Sequence, residues 1–169
     1  PKHVQDSGHQ HVTVTRALGP DPALVRALVD RLVESGWRPE DSVILAAAGT
    51  SDPAAMTDLH TTATWLSAMV GSRVELAFAA TGEPRVADAV AANRTQGRRV
   101  VVASYLLSDG LFQDRLRDSG ADVVTAPLGT HPGVARLIVS RFLRAEVPGH
   151  HPAGTVFQQR ITRSLAAGI

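Results

Sequence analysis

The chain has no cysteine, which excludes disulfide bonds, thiolate metal sites and cysteine nucleophiles. It also lacks an excess of charge, because 17 lysine and arginine side chains face 16 aspartates and glutamates, for a formal net charge of +1. Lys2 is the only lysine, so arginine supplies nearly all of the positive charge. Arginine can bind carboxylates bidentately, although its use in place of lysine is more often a habit of composition. Without a strong positive field, we expect no nucleic-acid partner.

Long hydrophobic runs are missing too. Apolar runs such as Val43–Ala48 and Val100–Ala103 are far too short to span a bilayer. The first twelve residues, PKHVQDSGHQHV, lack the apolar stretch of a signal peptide. We therefore expect a cytoplasmic protein without a membrane partner.

Common phosphate-binding and hydrolase motifs are absent as well. The loop AAAGTSDPAA has neither the Lys-Ser/Thr pair of a P-loop nor the three glycines of a dinucleotide fingerprint. No Gly-x-Ser-x-Gly sequence marks a hydrolase nucleophile. These absences disfavour a nucleotide-binding domain and a serine hydrolase.

What the chain does have is an alternation of short β-branched runs with longer helical patterns. Two runs, SVILAAA and RVVVASYL, are apolar at consecutive positions, as in parallel strands that are buried on both faces. The predicted strands are Val12–Thr15, Ser42–Ala48, Arg73–Ala79, Arg99–Leu106 and Asp122–Ala126. The predicted helices, four of which open with proline, are Pro22–Ser35, Pro53–Val70, Pro84–Gln96, Leu111–Ser119 and Pro132–Ala145. This rhythm predicts a doubly wound α/β fold, a four-stranded parallel sheet flanked by helices, with an extra N-terminal strand and helix in front.

A segment near the start of the chain returns 110 positions later. Thr13–Leu32 and Val123–Phe142 align without a gap, and 8 of the 20 aligned positions are identical. We interpret this repeat as the result of a duplication. Residues 1–40 would then be the end of a preceding homologous half and residues 41–145 a complete half. Residues 146–169 would form a loop and a short helix at 156–167.

Ligands of doubly wound sheets bind at the carboxyl ends of the strands, which makes five loop residues candidates for substrate binding. They are Thr50, Ser51 and Asp52 after the first strand of the complete half, Ser108 after the third and His131 after the fourth. For the first three, capping of the next helix is an equally good interpretation. His131 is suited to a capping or loop-packing role as well.

Two further caps are predicted from the same preference. Asp21 stands before the first helix, and Gly82 or Glu83 stands before the helix at Pro84.

The remaining histidines have weaker patterns. His60 falls within a helix, where a half-buried histidine with satisfied hydrogen bonds is expected. The others lie in the terminal segments, at His3, His9, His11, His150 and His151. Each set could hold a metal adventitiously, but the spacings are not those of a helical ligand pair. Solvated loop histidines are the better interpretation.

Four phrases of the chain resemble a known family when they are taken together. They are VILAAAGTSDPAA, VELAFAATGEPRVADAV, RRVVVASYLLSDGLFQDRL and ADVVTAPLGTHPGVARLIVSRF. In combination they are similar to sirohydrochlorin chelatases and cobaltochelatases, the class II tetrapyrrole chelatases, over almost all of residues 12–145. The resemblance implies a metal-inserting lyase that places Co²⁺, Fe²⁺ or Ni²⁺ in sirohydrochlorin for cobalamin or siroheme biosynthesis. The metal would be a substrate, and no cofactor would be bound permanently.

The resemblance also shows a departure at the metal-handling positions. Where the family has a histidine after the first strand, in Ala-His-Gly-Ser, this chain has Ala48. Where the family has an acidic residue after the second strand and a histidine after the third, this chain has Ala80 and Phe112. No catalytic residue and no metal ligand is therefore carried over. The resemblance implies that this is the non-catalytic half of a two-half chelatase.

Two functions are left open by these residues. In the first, the five candidate loop residues form one wall of a tetrapyrrole cleft whose catalytic half lies elsewhere. In the second, the chain is a non-catalytic module that binds a tetrapyrrole or a metal, or only dimerises. Both predict either a homo-oligomer or a missing N-terminal half, because an isolated half leaves apolar surface uncovered.

Overall fold

Four parallel strands form one sheet in the order β2-β1-β3-β4. They are β1 (Ser42–Gly49), β2 (Val74–Thr81), β3 (Val100–Ser104) and β4 (Val123–Val124). β1 pairs with both of its neighbours, so that Val43 stands opposite Val74 on one side and Val101 on the other. The predicted parallel sheet is thus present in the computed structural model, which describes residues 14–94 and 97–145.

Helices cover both faces of this sheet. In the described residues they are α1 (Pro22–Glu34), α2 (Pro53–Val70), α3 (Val86–Arg94), α4 (Leu111–Arg117) and α5 (Pro132–Leu143). Leu28 of α1, Leu66 of α2 and Leu137 of α5 belong to the hydrophobic cluster on one face. Val90 of α3 and Leu116 of α4 belong to the cluster on the other face. The structure is therefore the doubly wound α/β fold that the alternation predicts.

The chain divides into two units, one of which, Ala17–Ser140, contains the sheet. The described residues of the other unit are 14–16 and 141–145. There the Thr15 hydroxyl donates to the Arg16 carbonyl at 3.2 Å, and the Ala145 N–H donates to the Phe142 carbonyl at 3.1 Å. None of the described helices has the length and apolar character that crossing a bilayer requires.

Two helices begin at the capping residues that the sequence predicts. Asp21 Oδ1 accepts a hydrogen bond from the N–H of Ala23 at 2.9 Å, and Asp52 Oδ1 accepts one from Ala54 at 2.9 Å. Each carboxylate satisfies a backbone donor that the first turn of a helix leaves unpaired. Both cap predictions are confirmed.

The third cap prediction, Gly82 or Glu83 before a helix at Pro84, is wrong. α3 begins two residues later, at Val86. The Pro84 carbonyl instead accepts a hydrogen bond from the N–H of Phe78 at 3.0 Å. The residues around this proline are therefore held against β2 and cannot form the first turn of the helix.

β4 is shorter than the predicted strand Asp122–Ala126. The Asp122 carboxylate accepts a hydrogen bond from the N–H of Val100 at 2.8 Å. The Thr125 hydroxyl accepts one from the N–H of Ser104 at 3.0 Å. On either side of Val123–Val124, a side chain and not a backbone carbonyl accepts these hydrogen bonds, so the strand has only two residues.

The extra N-terminal strand predicted at Val12–Thr15 is not found in the described residues, where Val14 and Thr15 belong to no strand. β-Branched residues form a strand only where a neighbouring strand satisfies their backbone groups. The helix predicted to follow is present as α1, and its Leu28 and Leu32 are fully buried. The division into halves at residue 40 stays a prediction. The predicted tail at 146–169 lies outside the described residues.

Replacing Leu28 with alanine should lower the free energy of unfolding by about 2–5 kcal/mol, because a fully buried leucine leaves a cavity that closes only in part. Equilibrium urea denaturation measures the change. Val33→Ala is the matched control on the same helix, since Val33 is 63% exposed, and it should cost no more than about 0.5 kcal/mol. Equal effects of the two substitutions would contradict the assignment of α1 to the core.

Candidate functional site

The carboxyl ends of the parallel strands meet at one edge of the sheet, as the topology requires. The five candidate binding residues lie in the segments that follow the strands. Of the three positions where the sequence resemblance places the metal-handling residues of the family, Ala48 and Ala80 lie in the last residues of β1 and β2, and Phe112 lies at the start of α4. Two surfaces with different chemistry flank this edge. One is a cavity beside α2, which we call the α2 cavity, and the other is carried by α4.

The α2 cavity has a volume of about 320 Å³ and lies beside the end of β1. Its walls include Ala48 and Thr50 from the end of β1, Asp58 from α2, Tyr105 from the end of β3, and Gly19 from the segment before α1. Three of these side chains are polar and can form hydrogen bonds with a ligand. The cavity thus contains the predicted binding residue Thr50 and Ala48, together with Asp58 and Tyr105, two polar residues that were not among the predicted ones.

Tyr105 is held as a neutral hydroxyl in this cavity. Burial raises its pKa, and the carboxylates of Asp58 and Asp21 act in the same direction, while a hydrogen bond with Thr62 opposes them. The packing around the ring is close, because a Cβ added at Gly19 would collide with the Tyr105 hydroxyl. Tyr105 is therefore a fixed hydrogen-bonding group near neutral pH and not a base.

A signal for Tyr105 exists in the sequence, but none exists for Asp58. Tyr105 is the only tyrosine of the chain and comes directly after β3, at a strand end where ligands bind. Asp58 is one of many acidic residues on exposed or half-exposed positions, and only the packing of α2 beside the strand ends places it in the cavity. The helical pattern of the sequence alone therefore does not predict that Asp58 lies in the cavity.

Gly49 determines how β1 ends. It has a positive φ of 109° and pairs with Thr81 after a register irregularity in the β1–β2 ladder. A Cβ at this position would collide with the backbone of Thr81. Only glycine allows this approach, so Gly49 fixes the position of Ala48 and Thr50 at the edge.

Thr50 and Asp52 are engaged by the backbone of their own loop. The Thr50 hydroxyl accepts a hydrogen bond from the N–H of Asp52 at 3.0 Å, and Asp52 caps α2 as described above. Ser51 between them is exposed. The capping interpretation of Asp52 is therefore confirmed, while a substrate-binding role for these three residues stays a prediction.

His131 forms contacts within the protein through both of its ring nitrogens. It is 8% exposed, and its Nδ1 accepts a hydrogen bond from the N–H of Gly133 at 3.1 Å at the start of α5. Its Nε2 lies 3.2 Å from Oδ2 of Asp30 on α1. Both ring nitrogens thus have partners within the protein, and His131 is not among the residues that line the α2 cavity. Ser108 is exposed at the same edge, and its substrate-binding role stays a prediction, as does that of His131.

The structure corrects the prediction for His60, which is exposed and not half-buried. It lines a groove of about 520 Å³ along the outer side of β2, together with Arg73 and Glu75. The histidines of the terminal segments, His3, His9, His11, His150 and His151, lie outside the described residues. In residues 14–94 and 97–145, no group of three or more histidine, aspartate or glutamate side chains is placed to hold a metal ion.

The surface carried by α4 combines apolar side chains with a cation. Leu111 and Phe112 are exposed, Phe112 by 39%, and the guanidinium carbon of Arg115 lies 5.7 Å from the centre of the Phe112 ring. Nη1 of Arg115 donates a hydrogen bond to the carbonyl of Ala79 at 3.3 Å, next to Ala80. We call Leu111, Phe112 and Arg115 the α4 surface. It includes Phe112 and lies next to Ala80, two of the positions where the sequence resemblance predicts metal-handling residues.

Comparison with known proteins identifies the family. The model of the CbiX family matches residues 42–145, which is more than half of the chain. The chain belongs to the sirohydrochlorin chelatase family, CbiX. A sirohydrochlorin ferrochelatase of Priestia megaterium is 30% identical to it over 132 residues, which are 71% of this chain and 50% of that protein.

Solved structures agree on the fold of this CbiX-family chain. SirB from Bacillus subtilis with Fe³⁺ matches with a TM-score of 0.66 and 21% identity, covering 84% of this chain and 61% of SirB. The sirohydrochlorin chelatase SirB from Bacillus subtilis subspecies spizizenii, in complex with cobalt, matches with a TM-score of 0.60 and 19% identity, covering 83% and 57%. The four-stranded α/β fold is therefore a chelatase fold. The chain spans about half the length of the curated relative that it matches.

Tyr105 should ionise at a higher pH in the native protein than in urea, because burial and the nearby carboxylates raise its pKa. The near-ultraviolet absorbance of tyrosinate reports this residue alone, since the chain has no other tyrosine. Asp58→Asn should lower the native pKa part of the way, while Asp88→Asn on α3 should leave it unchanged.

The sign of the stability effect follows from the same shift. The folded state binds the Tyr105 proton more tightly, so this contribution to stability is present below pH about 10 and is lost as the pH rises through the native pKa. A native pKa at or below the unfolded value would show that the hydroxyl is not buried as described.

Proposed function

We propose that this chain is the half of a sirohydrochlorin chelatase that helps to hold the tetrapyrrole, and that a second homologous half supplies the metal-handling side chains. The observation that carries the proposal is the apolar character of Ala48, Ala80 and Phe112, the positions where the family has those side chains. Family membership and the match to half the length of the Priestia megaterium relative support it.

The chemistry of insertion explains why these three positions matter. A divalent ion replaces two protons on pyrrole nitrogens, so the reaction needs an acceptor for the protons and a ligand that delivers the ion to the ring. Neutral imidazole and carboxylate can do both. The methyl groups of Ala48 and Ala80 and the ring of Phe112 can do neither, because they have no lone pair to offer.

The residues that remain at the edge are suited to binding. Thr50, Asp58 and Tyr105 offer hydrogen bonds in the α2 cavity. Tyr105 keeps its proton, because its pKa is raised, and so serves as a hydrogen-bonding group and not as the acceptor of a pyrrole proton.

The predicted wall residues take different parts in this proposal. Ser51 and Ser108 are exposed at the same edge and are available to substrate. Asp52 and His131 act by shaping the loops that begin α2 and α5. The wall as a whole binds and orients, and it leaves proton removal and metal delivery to the other half.

An insertion assay tests the division of roles. The chain alone should bind sirohydrochlorin but should insert Co²⁺ or Fe²⁺ no faster than a protein-free solution. A version extended upstream by a homologous half that carries the His-Gly phrase should insert the metal. The product is followed by the change in tetrapyrrole absorbance.

Two results would contradict the proposal in different ways. Insertion by the chain alone, above the protein-free rate, would show that this half is catalytic without the family histidines. Failure to bind sirohydrochlorin would favour a module that serves only for association.

The repeated helix supports association with a second half. Leu28 of α1 is fully buried, whereas its repeat equivalent on α5, Ile138, is 47% exposed, and Val139 beside it is exposed as well. The apolar face of the repeat is thus buried on α1 and exposed on α5. An exposed apolar face of this kind is suited to packing against a homologous half. The proposal therefore includes self-association of this chain through α5 when no other half is present.

Sedimentation velocity measures this association directly. The chain should sediment as a dimer or larger species at high concentration, and Ile138→Asp should shift it toward the monomer. Val33→Asp places the same charge on an exposed position of α1 and should have no such effect. A clean monomer at high concentration would overturn this part of the proposal.

A further inference from the structure

One arginine at the strand-end edge has no acidic partner within the described part of the chain. The segments 80–85 and 106–117 contain three arginines. Arg85 lies 3.5 Å from a carboxylate oxygen of Glu83, and Arg117 pairs with Asp109 and Asp114. Arg115 pairs with none of the described carboxylates.

Arg115 is nevertheless held in a defined position. It donates one hydrogen bond to the carbonyl of Ala79 at 3.3 Å and lies 5.7 Å from the centre of the Phe112 ring, three residues before it on α4. Contact with an aromatic face favours the guanidinium by cation–π attraction. Of its five N–H donors, those not directed at Ala79 remain for a ligand.

The buried side chain of Gln113 fixes the orientation of α4, the helix that carries Arg115. Gln113 is buried, and its Oε1 accepts a hydrogen bond from the Ser104 hydroxyl at 2.7 Å. Its Nε2 donates to the carbonyl of Thr125 at 2.9 Å. A buried amide with both ends satisfied allows one rotation of the helix about its axis. Leu111, Phe112 and Arg115 therefore stay on the exposed side of α4, where residues three and four positions apart are neighbours.

We propose that Arg115 binds a peripheral carboxylate of the tetrapyrrole, with the apolar ring lying against Leu111 and Phe112. This inference rests on the proposed function and names the group that this half recognises. Sirohydrochlorin is a flat macrocycle with carboxylate side chains at its rim, so an exposed apolar surface beside an unpaired guanidinium is complementary to it. The planar fork of arginine fits a carboxylate bidentately, which a lysine cannot do.

Charge favours the rim of the substrate over its metal at this surface. Arg117 forms ion pairs with both Asp109 and Asp114, so Arg115 is the guanidinium of α4 that is left without an ion pair among the described carboxylates. A positive charge beside Ala80 and Phe112 repels a divalent ion. The same part of the edge that has lost the family's metal-handling groups therefore offers a site for an anion.

Fluorescence titration with uroporphyrin, a metal-free porphyrin with a carboxylated rim, tests this assignment. Arg115→Gln should weaken binding about five- to tenfold at low salt, in the range of a charge-assisted hydrogen bond at a partly exposed site. Arg115→Lys should give an intermediate affinity, since it keeps the charge but not the fork. Arg98→Gln removes the same charge from an exposed position before β3, at the opposite edge, and should change the affinity less than twofold.

A porphyrin with a cationic rim, tetra(N-methylpyridinium)porphyrin, separates the carboxylate contact from general damage. Its binding should be unchanged or tighter in Arg115→Gln. Equal uroporphyrin affinity in the wild type and Arg115→Gln would overturn the role of Arg115 and leave the proposed function in place. Equal losses for both porphyrins would also overturn it, because they indicate a structural effect. Failure of the wild-type chain to bind uroporphyrin would overturn the inference and count against tetrapyrrole binding itself.

Discussion

The pairing of β1 on both of its sides is the constraint on which the rest of the structure depends. Its residues Val43–Ala47 are at most 3% exposed, and parallel neighbours stand on either side. A strand buried on both faces requires a helical layer above and below, which α1, α2 and α5 provide on one face and α3 and α4 on the other. Parallel pairing also brings the strand ends to one edge, and this edge is where the candidate site lies.

The two sides of that edge differ because different helices begin there, α2 on one side and α4 on the other. On the side of α2, the end of β1 opens into a cavity with the polar groups of Thr50, Asp58 and Tyr105. On the other side, α4 presents an exposed aromatic ring and a guanidinium beside the end of β2. The chelatase fold thus has two chemically different surfaces along one edge of its sheet.

The two copies of the repeat have similar sequences, but their helices are buried to different extents. In α1 the pattern is buried against the sheet, and in α5 the equivalent of Leu28 is half exposed at Ile138. His131 and Asp30 join the two copies, as does the hydrogen bond from Arg31 to Thr130 at 2.8 Å. Similar residues therefore do not imply similar burial, because burial depends on what each helix is packed against.

The sequence by itself determined the features that depend on near neighbours in the chain. Consecutive apolar residues predicted buried parallel strands, and Asp21 and Asp52 predicted helix starts, since a cap reaches only two or three residues ahead. The prediction failed at Pro84, where a contact with Phe78 of the sheet prevails over the local preference of proline for a first turn. The strand predicted at residues 12–15 likewise depended on a neighbour that the pattern could not supply.

Only the tertiary structure decided which groups meet at the site. Asp58 and Tyr105 come from different segments and share one cavity because α2 packs beside the end of β3. Arg115 reaches Ala79 across 36 positions of the chain because Gln113 fixes the rotation of α4. Such contacts between distant segments follow from packing and not from local pattern, which is why the fold could be predicted and the site could not.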